Sequence, residues 1–224
     1  MIKTVIFDMD GVIVDTEPLH RLAFKQHFKL LDIDVSDDLY ASFTGNSTKN
    51  VYQKLKNLFP IQQDIDDLVI TKRDLFNAAF ESDSHLKLLD GVEILMKELH
   101  QNGMQLILAS SSAKVTINKI FEKFNLDQYF SYKISGEDFE FSKPNPAIFN
   151  YAAQISGHLK ENCIVIEDST NGIKAAKSAG IFCIGYDSFH SKLQDYSEAE
   201  LVISNFDQID YRSIASIKTN FDEL

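Results

Sequence analysis

The stretch Val5-Ile6-Phe7-Asp8-Met9-Asp10-Gly11 sets a short apolar run directly before two carboxylates and a glycine. Similar apolar runs, each bounded by polar residues or glycine, recur further along the chain, at residues 106–109, 164–166, 182–184 and 201–203. Runs of this length and composition predict strands that are buried on both faces of a parallel sheet.

Helical patterns alternate with these strands in the later part of the chain. Apolar residues recur at helical spacing over residues 92–99, 117–124 and 173–179, and Gly180 stands where the last of these helices would end. Strands that alternate with helices predict an α/β fold built on an open, doubly wound parallel sheet.

The segment from residue 18 to residue 83 breaks this alternation, because it shows four helical stretches and no strand pattern. The longest is expected over residues 65–80, and Asn46 or Ser47 is expected to cap the helix before it. An all-helical block in this place predicts a separate lobe.

We therefore predict two domains. Residues 1–15 and 84–224 are assigned to an α/β core domain, and residues 16–83 to an all-helical cap domain inserted after the first strand. Typical domains run to roughly 100–200 residues, so a core with a smaller lobe is compatible with the length of the chain.

The composition argues against several classes of function. The 224 residues carry a formal net charge of −11, which disfavours nucleic-acid binding because the phosphate backbone is bound by clustered Lys and Arg. No apolar stretch approaches the ~20 residues of a membrane span, and the first residues lack the apolar region of a signal peptide. Cys163 and Cys183 lie in apolar runs and are expected to be buried, reduced thiols. We expect a cytoplasmic monomer without a nucleic-acid or membrane partner.

Polar side chains follow three of the predicted strands, at the edge where ligands of open α/β sheets bind. They are Asp8 and Asp10, the run Ser110-Ser111-Ser112, and the run Glu167-Asp168-Ser169. Carboxylates that converge at one end of a sheet repel one another unless they share a cation, and a site rich in oxygen suits Mg²⁺. A calcium loop of the EF-hand type does not fit, because Gly11 stands at the fourth position of such a loop rather than the sixth. The pattern predicts a magnesium site.

Three of these residues, together with Lys143 further along the chain, are candidates for catalysis of phosphoryl transfer. Asp8 is the candidate nucleophile, since a carboxylate that attacks phosphorus splits one difficult displacement into two steps. Asp10 is the candidate general acid and base, with a turn or helix cap as the alternative. Ser110 and Lys143 are candidate partners of the phosphoryl oxygens, which need donors and a cation around them. The alternatives are a helix N-cap for Ser110 and a solvated surface charge for Lys143.

Together and in this order, these residues resemble the motifs of the haloacid dehalogenase superfamily, in particular its β-phosphoglucomutase-like phosphatase branch. Over the whole chain, the resemblance rests on residues 8–18, Ser110, Lys143 within residues 142–146, and residues 167–173. It implies a Rossmann-like core and a helical cap inserted after the first motif.

The resemblance also implies roles for individual residues. Mg²⁺ would be held by Asp8, Asp168 and the backbone carbonyl of Asp10, with Glu167 in or near the metal shell. Asp8 would be the nucleophile and Asp10 the general acid and base. The candidate substrate contacts are His20, Gly45, Ser111 and Asn145.

The remaining choice is between hydrolysis and transfer within one substrate. Mutases of this family carry a Gly-x-Ser-Arg sequence in the cap, whereas this chain has Gly45-Asn46-Ser47-Thr48 and lacks the arginine. Lys49 comes one residue late, which is a rotation of ~100° on a helix. Lys72 and Arg73 are candidate replacements, although solvated charges are the favoured interpretation of both. Mutases also show Lys-Asn where this chain has Ala113-Lys114.

These departures favour a Mg²⁺-dependent phosphatase of small phosphorylated metabolites, with sugar phosphates as the expected substrates. The alternative is a β-phosphoglucomutase that interconverts β-glucose 1-phosphate and glucose 6-phosphate, because His20 matches a cap histidine of such enzymes. A third interpretation, a binding module without catalysis, predicts the loss of one motif, and all four motifs are present.

Overall fold

The computed structural model describes residues 1–43, 46–187 and 194–219 of the chain. The chain divides into two compact units. One consists of Met1–Val14 with Leu88–Leu224, and the other of Asp15–Lys87. We call them the sheet unit and the helical unit. Among the helices of the described ranges, none is long and apolar enough to cross a membrane.

The described part of the sheet unit is built on six strands. They are β1 (Thr4–Phe7), β2 (Gln105–Ser110), β3 (Phe130–Ser135), β4 (Cys163–Glu167), β5 (Phe182–Tyr186) and β6 (Leu201–Ile203). The strands form one parallel sheet in the order β3-β2-β1-β4-β5-β6. This is the order of a doubly wound, Rossmann-like sheet, so the predicted fold class is confirmed.

The α-helices of the described residues belong to one unit or the other. The helical unit contains α1 (Glu17–Leu30), α2 (Asp37–Ala41), α3 (Thr48–Leu58) and α4 (Ile65–Ser82). The sheet unit contains α5 (Val92–Gln101), α6 (Lys114–Phe124), α7 (Ala147–Ser156), α8 (Thr170–Ala179) and α9 (Tyr211–Ser216). No strand lies in the described residues of the helical unit.

The chain changes direction across the sheet next to β1. From β1 it passes to β2 and β3 on one side, and then to β4 and the remaining strands on the other side. Phe7 of β1 therefore lies opposite both Leu108 and Ile166. Ligands of such sheets bind at this switch point, outside the carboxyl ends of the strands. Asp8 stands there, and its N–H donates to the Ile166 carbonyl at 3.0 Å.

Several sequence predictions at the level of single elements are confirmed. All five apolar runs lie within strands, and α4 is the longest of the described helices with 18 residues. Ser47 caps α3, because its hydroxyl accepts the Asn50 N–H at 3.2 Å. Gly180 ends α8 in the left-handed conformation, at φ 69°.

The sequence pattern misses β3, α7 and α9. β3 is an edge strand with a single neighbour, and only its last two residues are buried. It therefore lacks the continuous apolar run of a strand that is covered on both faces. The miss matters for the site, because Ser135 at the end of β3 supports the turn that follows β2.

The helical unit has an aromatic core of its own. Phe24, Phe28, Tyr40 and Tyr52 are buried together with apolar side chains of α3 and α4. The Tyr52 hydroxyl lies 2.5 Å from Nδ1 of His27, and both side chains are shielded from solvent. Because a buried polar group is costly unless it is hydrogen-bonded, this pair is part of what makes the core stable.

Candidate active site

A buried lysine joins two of the predicted site carboxylates. The Lys143 ammonium donates to Asp8 Oδ1 at 2.5 Å, to Glu167 Oε1 at 3.0 Å and to the Ala109 carbonyl at 3.0 Å. These three bonds match the three donors of an ammonium group. The ring of Phe149 lies 4.8 Å from Nζ. The residue is only 2% exposed, so a solvated surface charge is the wrong interpretation of Lys143.

The charges of the site shift the pKa values of its members. Burial raises the pKa of Asp8, the Lys143 ammonium lowers it, and the carboxylates of Glu167 and Asp10 raise it. The net result is a pKa of about 7. Burial and the carboxylates of Glu167, Asp8 and Asp10 raise the pKa of Asp168 well above its ordinary value. Burial alone would lower the pKa of Lys143, but the two adjacent carboxylates outweigh this and raise it. The site therefore carries more negative charge than one lysine can balance.

The residues present suit a divalent cation. In the described ranges, no group of three or more His, Cys, Asp or Glu side chains has the arrangement of a metal site. The predicted ligand set does not require one, since it combines the carboxylates of Asp8 and Asp168 with the backbone carbonyl of Asp10. All three donors are oxygens, which Mg²⁺ prefers, and the mutual repulsion of the carboxylates is what a shared cation relieves. The chemistry of the donors thus fits Mg²⁺.

Glu167 is held by the protein through both of its carboxylate oxygens. Oε1 accepts from Lys143, while Oε2 accepts the N–H of Ser169 at 2.7 Å and its hydroxyl at 2.9 Å. A Cβ atom at Gly172 would lie 1.6 Å from Oε1, so only glycine leaves room for this carboxylate beside α8. These contacts favour a place near the metal shell over one within it. Sequence reasoning assigned no role to Ser169 or Gly172.

Asp10 lies in a tight turn that follows β1. The turn is closed by the Gly11 N–H, which donates to the Val14 carbonyl at 2.9 Å. Gly11 has φ 83°, and a Cβ atom there would lie 2.2 Å from Oδ2 of Asp168. The turn therefore requires glycine twice over, once for the backbone conformation and once for the close approach of a carboxylate.

Two serines, one at the end of β2 and one in the turn after it, contact the Asp10 carboxylate. Oδ2 of Asp10 accepts from the Ser112 hydroxyl at 2.6 Å and, more weakly, from the Ser110 hydroxyl at 3.5 Å. Ser110 is completely buried, and the N-cap of α6 is Ala113, so the helix-cap alternative for Ser110 is wrong. The sequence pattern placed Ser112 at this edge together with Ser110 and Ser111 but assigned it no role.

Two predicted substrate contacts of the sheet unit lie in the loops of the site. Ser111 is half-buried in the turn after β2, and a Cβ atom at Gly136 would lie 3.1 Å from its Cα. Asn145 follows Lys143, and its side-chain oxygen accepts the Ala147 N–H at 2.9 Å, at the start of α7. The substrate-binding role of both residues stays a prediction.

His20, a predicted substrate contact of the helical unit, lies beside a buried cation. Nδ1 of His20 lies 2.6 Å from the Lys72 ammonium, and the His20 ring stacks on Phe76 with centroids 4.4 Å apart. Lys72 is 3% exposed and its ammonium lies 4.6 Å from the centre of the Phe24 ring, so a solvated charge is the wrong interpretation of this lysine. Gly45 lies outside the described residues.

The sequence from residue 5 to residue 186 matches the family described as haloacid dehalogenase-like hydrolase. The chain belongs to this family. Among curated relatives, the phosphorylated carbohydrates phosphatase of Thermotoga maritima is 28% identical over 80% of this chain and 82% of its own length. The predicted superfamily is therefore confirmed, and the chain is a phosphatase or phosphotransferase enzyme.

Solved structures of this family share the whole fold. A variant of CbbY from Rhodobacter sphaeroides, in complex with xylulose-(1,5)bisphosphate, is 25% identical with a TM-score of 0.84 and covers 92% of this chain and 95% of its own. The β-phosphoglucomutase of Clostridium difficile is 26% identical with a TM-score of 0.83 and covers 96% of both chains. The predicted likeness to the β-phosphoglucomutase-like branch is confirmed.

Proposed function

We propose that this haloacid dehalogenase-like enzyme, a phosphatase or phosphotransferase, is a Mg²⁺-dependent phosphatase of small phosphorylated metabolites. The observation that carries the proposal is the buried Asp8 carboxylate at the carboxyl end of β1, which accepts a hydrogen bond from the Lys143 ammonium. The Asp10 carboxylate stands two residues further along the chain. A nucleophile and a second carboxylate of this kind are what a two-step phosphoryl transfer needs.

In the first step, the Asp8 carboxylate attacks phosphorus while the bond between phosphorus and the ester oxygen breaks. Asp10 gives its proton to that oxygen, and the alcohol leaves. In the second step, a water attacks the aspartyl-phosphate, Asp10 takes the proton of the water, and Asp8 is released as a carboxylate. Lys143 favours the ionised form of Asp8 that attacks, because its ammonium charge opposes the rise in pKa that burial causes.

The metal would be held by Asp8, Asp168 and the backbone carbonyl of Asp10. When bound, it supplies positive charge that balances the charge on the phosphoryl oxygens. Ser110 lies beside these groups at the end of β2 and is proposed to donate to the same oxygens. Glu167 accepts hydrogen bonds from Lys143 and Ser169 and so holds both side chains in place.

Sugar phosphates are the proposed substrate class. The relative from Thermotoga maritima is named for phosphorylated carbohydrates, and the CbbY variant is bound to a sugar bisphosphate. We further propose His20 and Gly45 of the helical unit, and Ser111 and Asn145 of the sheet unit, as substrate contacts. Thr48 stands where a mutase arginine would bind the second phosphate, which favours hydrolysis.

The alternative is a β-phosphoglucomutase that interconverts β-glucose 1-phosphate and glucose 6-phosphate. The observation that favours it is the contact between His20 and Lys72, which joins a histidine typical of mutases to a cation on α4. A solved β-phosphoglucomutase also shares the fold.

A panel of phosphate esters, assayed with Mg²⁺ and with EDTA, tests the proposal. We expect release of phosphate from at least one sugar phosphate with Mg²⁺, and loss of that activity in EDTA. No release from any ester would refute it. Incubation with β-glucose 1-phosphate separates the alternatives, because a phosphatase yields glucose and phosphate whereas a mutase yields glucose 6-phosphate in a coupled assay.

A further inference from the structure

The hydroxyl of Ser112 makes a short hydrogen bond to the proposed general acid. Its Oγ lies 2.6 Å from Oδ2 of Asp10, although the two residues are 102 positions apart in the chain. They meet because β1 and β2 are parallel neighbours in register, with Phe7 opposite Leu108. Both strands therefore end at the same edge of the sheet, and the turns that follow them face each other.

Ser112 is itself fixed by its own backbone. Its N–H donates to the Ser110 hydroxyl at 3.0 Å, and its carbonyl accepts from the Ser135 hydroxyl at 2.7 Å. Ser110 and Ser135 are both buried and lie opposite each other in β2 and β3. A side chain anchored through both of its peptide groups holds a set position, so its hydroxyl is a rigid partner for Asp10.

This bond has a chemical consequence for a carboxyl group that must deliver a proton. A hydroxyl that donates to Oδ2 fixes the plane of the carboxyl group and thereby the direction of Oδ1. A hydroxyl that donates to Oδ2 also favours the proton of the neutral acid on Oδ1. General acid catalysis depends on such placement and contributes roughly 10²–10⁴-fold to rates.

We propose that Ser112 is the positioning residue of Asp10, which orients the carboxyl group so that its proton reaches the leaving oxygen of the substrate. This inference rests on the proposed function. Ser112 acts through Asp10, and the bond changes that it serves are those of the first step. The P–O bond of the ester breaks, the bond from Asp8 to phosphorus forms, and the proton of Asp10 passes to the alcohol.

The test compares two esters that differ in their need for that proton. A sugar monophosphate has an alkoxide leaving group and requires an acid, whereas 4-nitrophenyl phosphate has a stable phenolate leaving group and does not. We expect Ser112→Ala to lower kcat/KM for the sugar phosphate about 10-fold more than for the nitrophenyl ester, as a share of the general-acid contribution. Ser112→Thr, which keeps the hydroxyl, is expected to restore the wild-type ratio of the two values.

Two further variants make the outcome specific. Ser156→Ala removes another buried hydroxyl, at the end of α7, which donates to the Ala153 carbonyl at 2.7 Å. This control variant should leave the ratio of the two kcat/KM values unchanged. Ser112→Cys replaces the hydroxyl by a weak donor and repeats the test if the alanine variant does not fold.

The possible failures are distinct. A wild-type enzyme that hydrolyses neither ester with Mg²⁺ would refute the proposed function and this inference with it. An active wild type, together with Ser112→Ala and Ser112→Cys variants that lose equal activity on both esters or none, would refute the inference alone.

Discussion

Buried polar groups are handled differently in the two units of the molecule. In the sheet unit, the buried Lys143 ammonium donates to the carboxyl groups of Asp8, at 2.5 Å, and Glu167, at 3.0 Å. In the helical unit, His27 and Tyr52 are a contacting pair, and burial lowers the pKa of His27 and raises that of Tyr52. Burial favours the neutral form of a group unless an opposite charge compensates.

The comparison teaches where to look for chemistry in this chain. Charges that stay ionised inside a protein need partners, and each partner that is removed leaves an uncompensated charge. A neutral buried pair contributes to packing and to hydrogen bonding only. The following predictions therefore separate variants that abolish turnover from variants that change stability.

The largest effect is expected for Asp8→Asn. The amide cannot attack phosphorus, so kcat/KM for the hydrolysed esters should fall roughly 10⁴-fold or more. Steady-state phosphate release measures this, with circular dichroism as the check on folding. Asp127→Asn, which alters a 64% exposed side chain, is the matched control and should keep full activity. An Asp8→Asn enzyme that retains a tenth of the wild-type activity would contradict the covalent scheme.

Lys143→Met is expected to have the largest effect on stability. It leaves Asp8 and Glu167 buried without their common partner, which costs about 3–5 kcal/mol of the free energy of unfolding. Urea unfolding in EDTA measures it, since no divalent cation then replaces the lost charge. Lys177→Met breaks an exposed ion pair with Glu200 and should cost about 1 kcal/mol or less. If both variants lose the same free energy of unfolding, Lys143 does not compensate the buried carboxylates and the prediction is wrong.

Tyr52→Phe tests the neutral pair in the helical unit. The variant removes the hydroxyl that lies against His27 while it keeps the ring, so a loss of about 1–3 kcal/mol is expected from the unsatisfied imidazole nitrogen. Thermal unfolding measures the change. Tyr132→Phe, at a half-exposed position of β3, should stay within about 0.5 kcal/mol of wild type. If the two variants are equally stable, the pair does not stabilise the core.

The smallest effect concerns pH. Because burial lowers the pKa of His27 below 6.5, the unfolded chain binds a proton more readily than the folded one. The stability that comes from this difference is present in full above pH 6.5 and is lost as the pH falls below that value. The melting temperature of wild type should therefore decrease more between pH 7.5 and pH 5.5 than that of His27→Gln. Identical pH profiles would contradict the assignment.

Much of the fold follows from the order of apolar runs and helical patterns. Continuous apolar runs made β1, β2, β4, β5 and β6 predictable. The first four are largely buried strands, whereas β6 is an edge strand that keeps an apolar run although two of its three residues are exposed. β3 was not predictable, because this edge strand, with four partly or fully exposed residues, has no such run. The site residues Asp8, Ser110, Glu167 and Asp168 were found by the same logic, since each follows or ends one of these runs.

The contacts among those residues depend on segments that are far apart in the chain. The bond from Ser112 to Asp10 and the support of Ser112 by Ser135 arise only when parallel strands are in register. Local sequence encodes burial and periodicity, because both are properties of neighbouring residues. The burial of Lys143 and its three hydrogen bonds are properties of the packed chain, and no pattern around residue 143 reveals them.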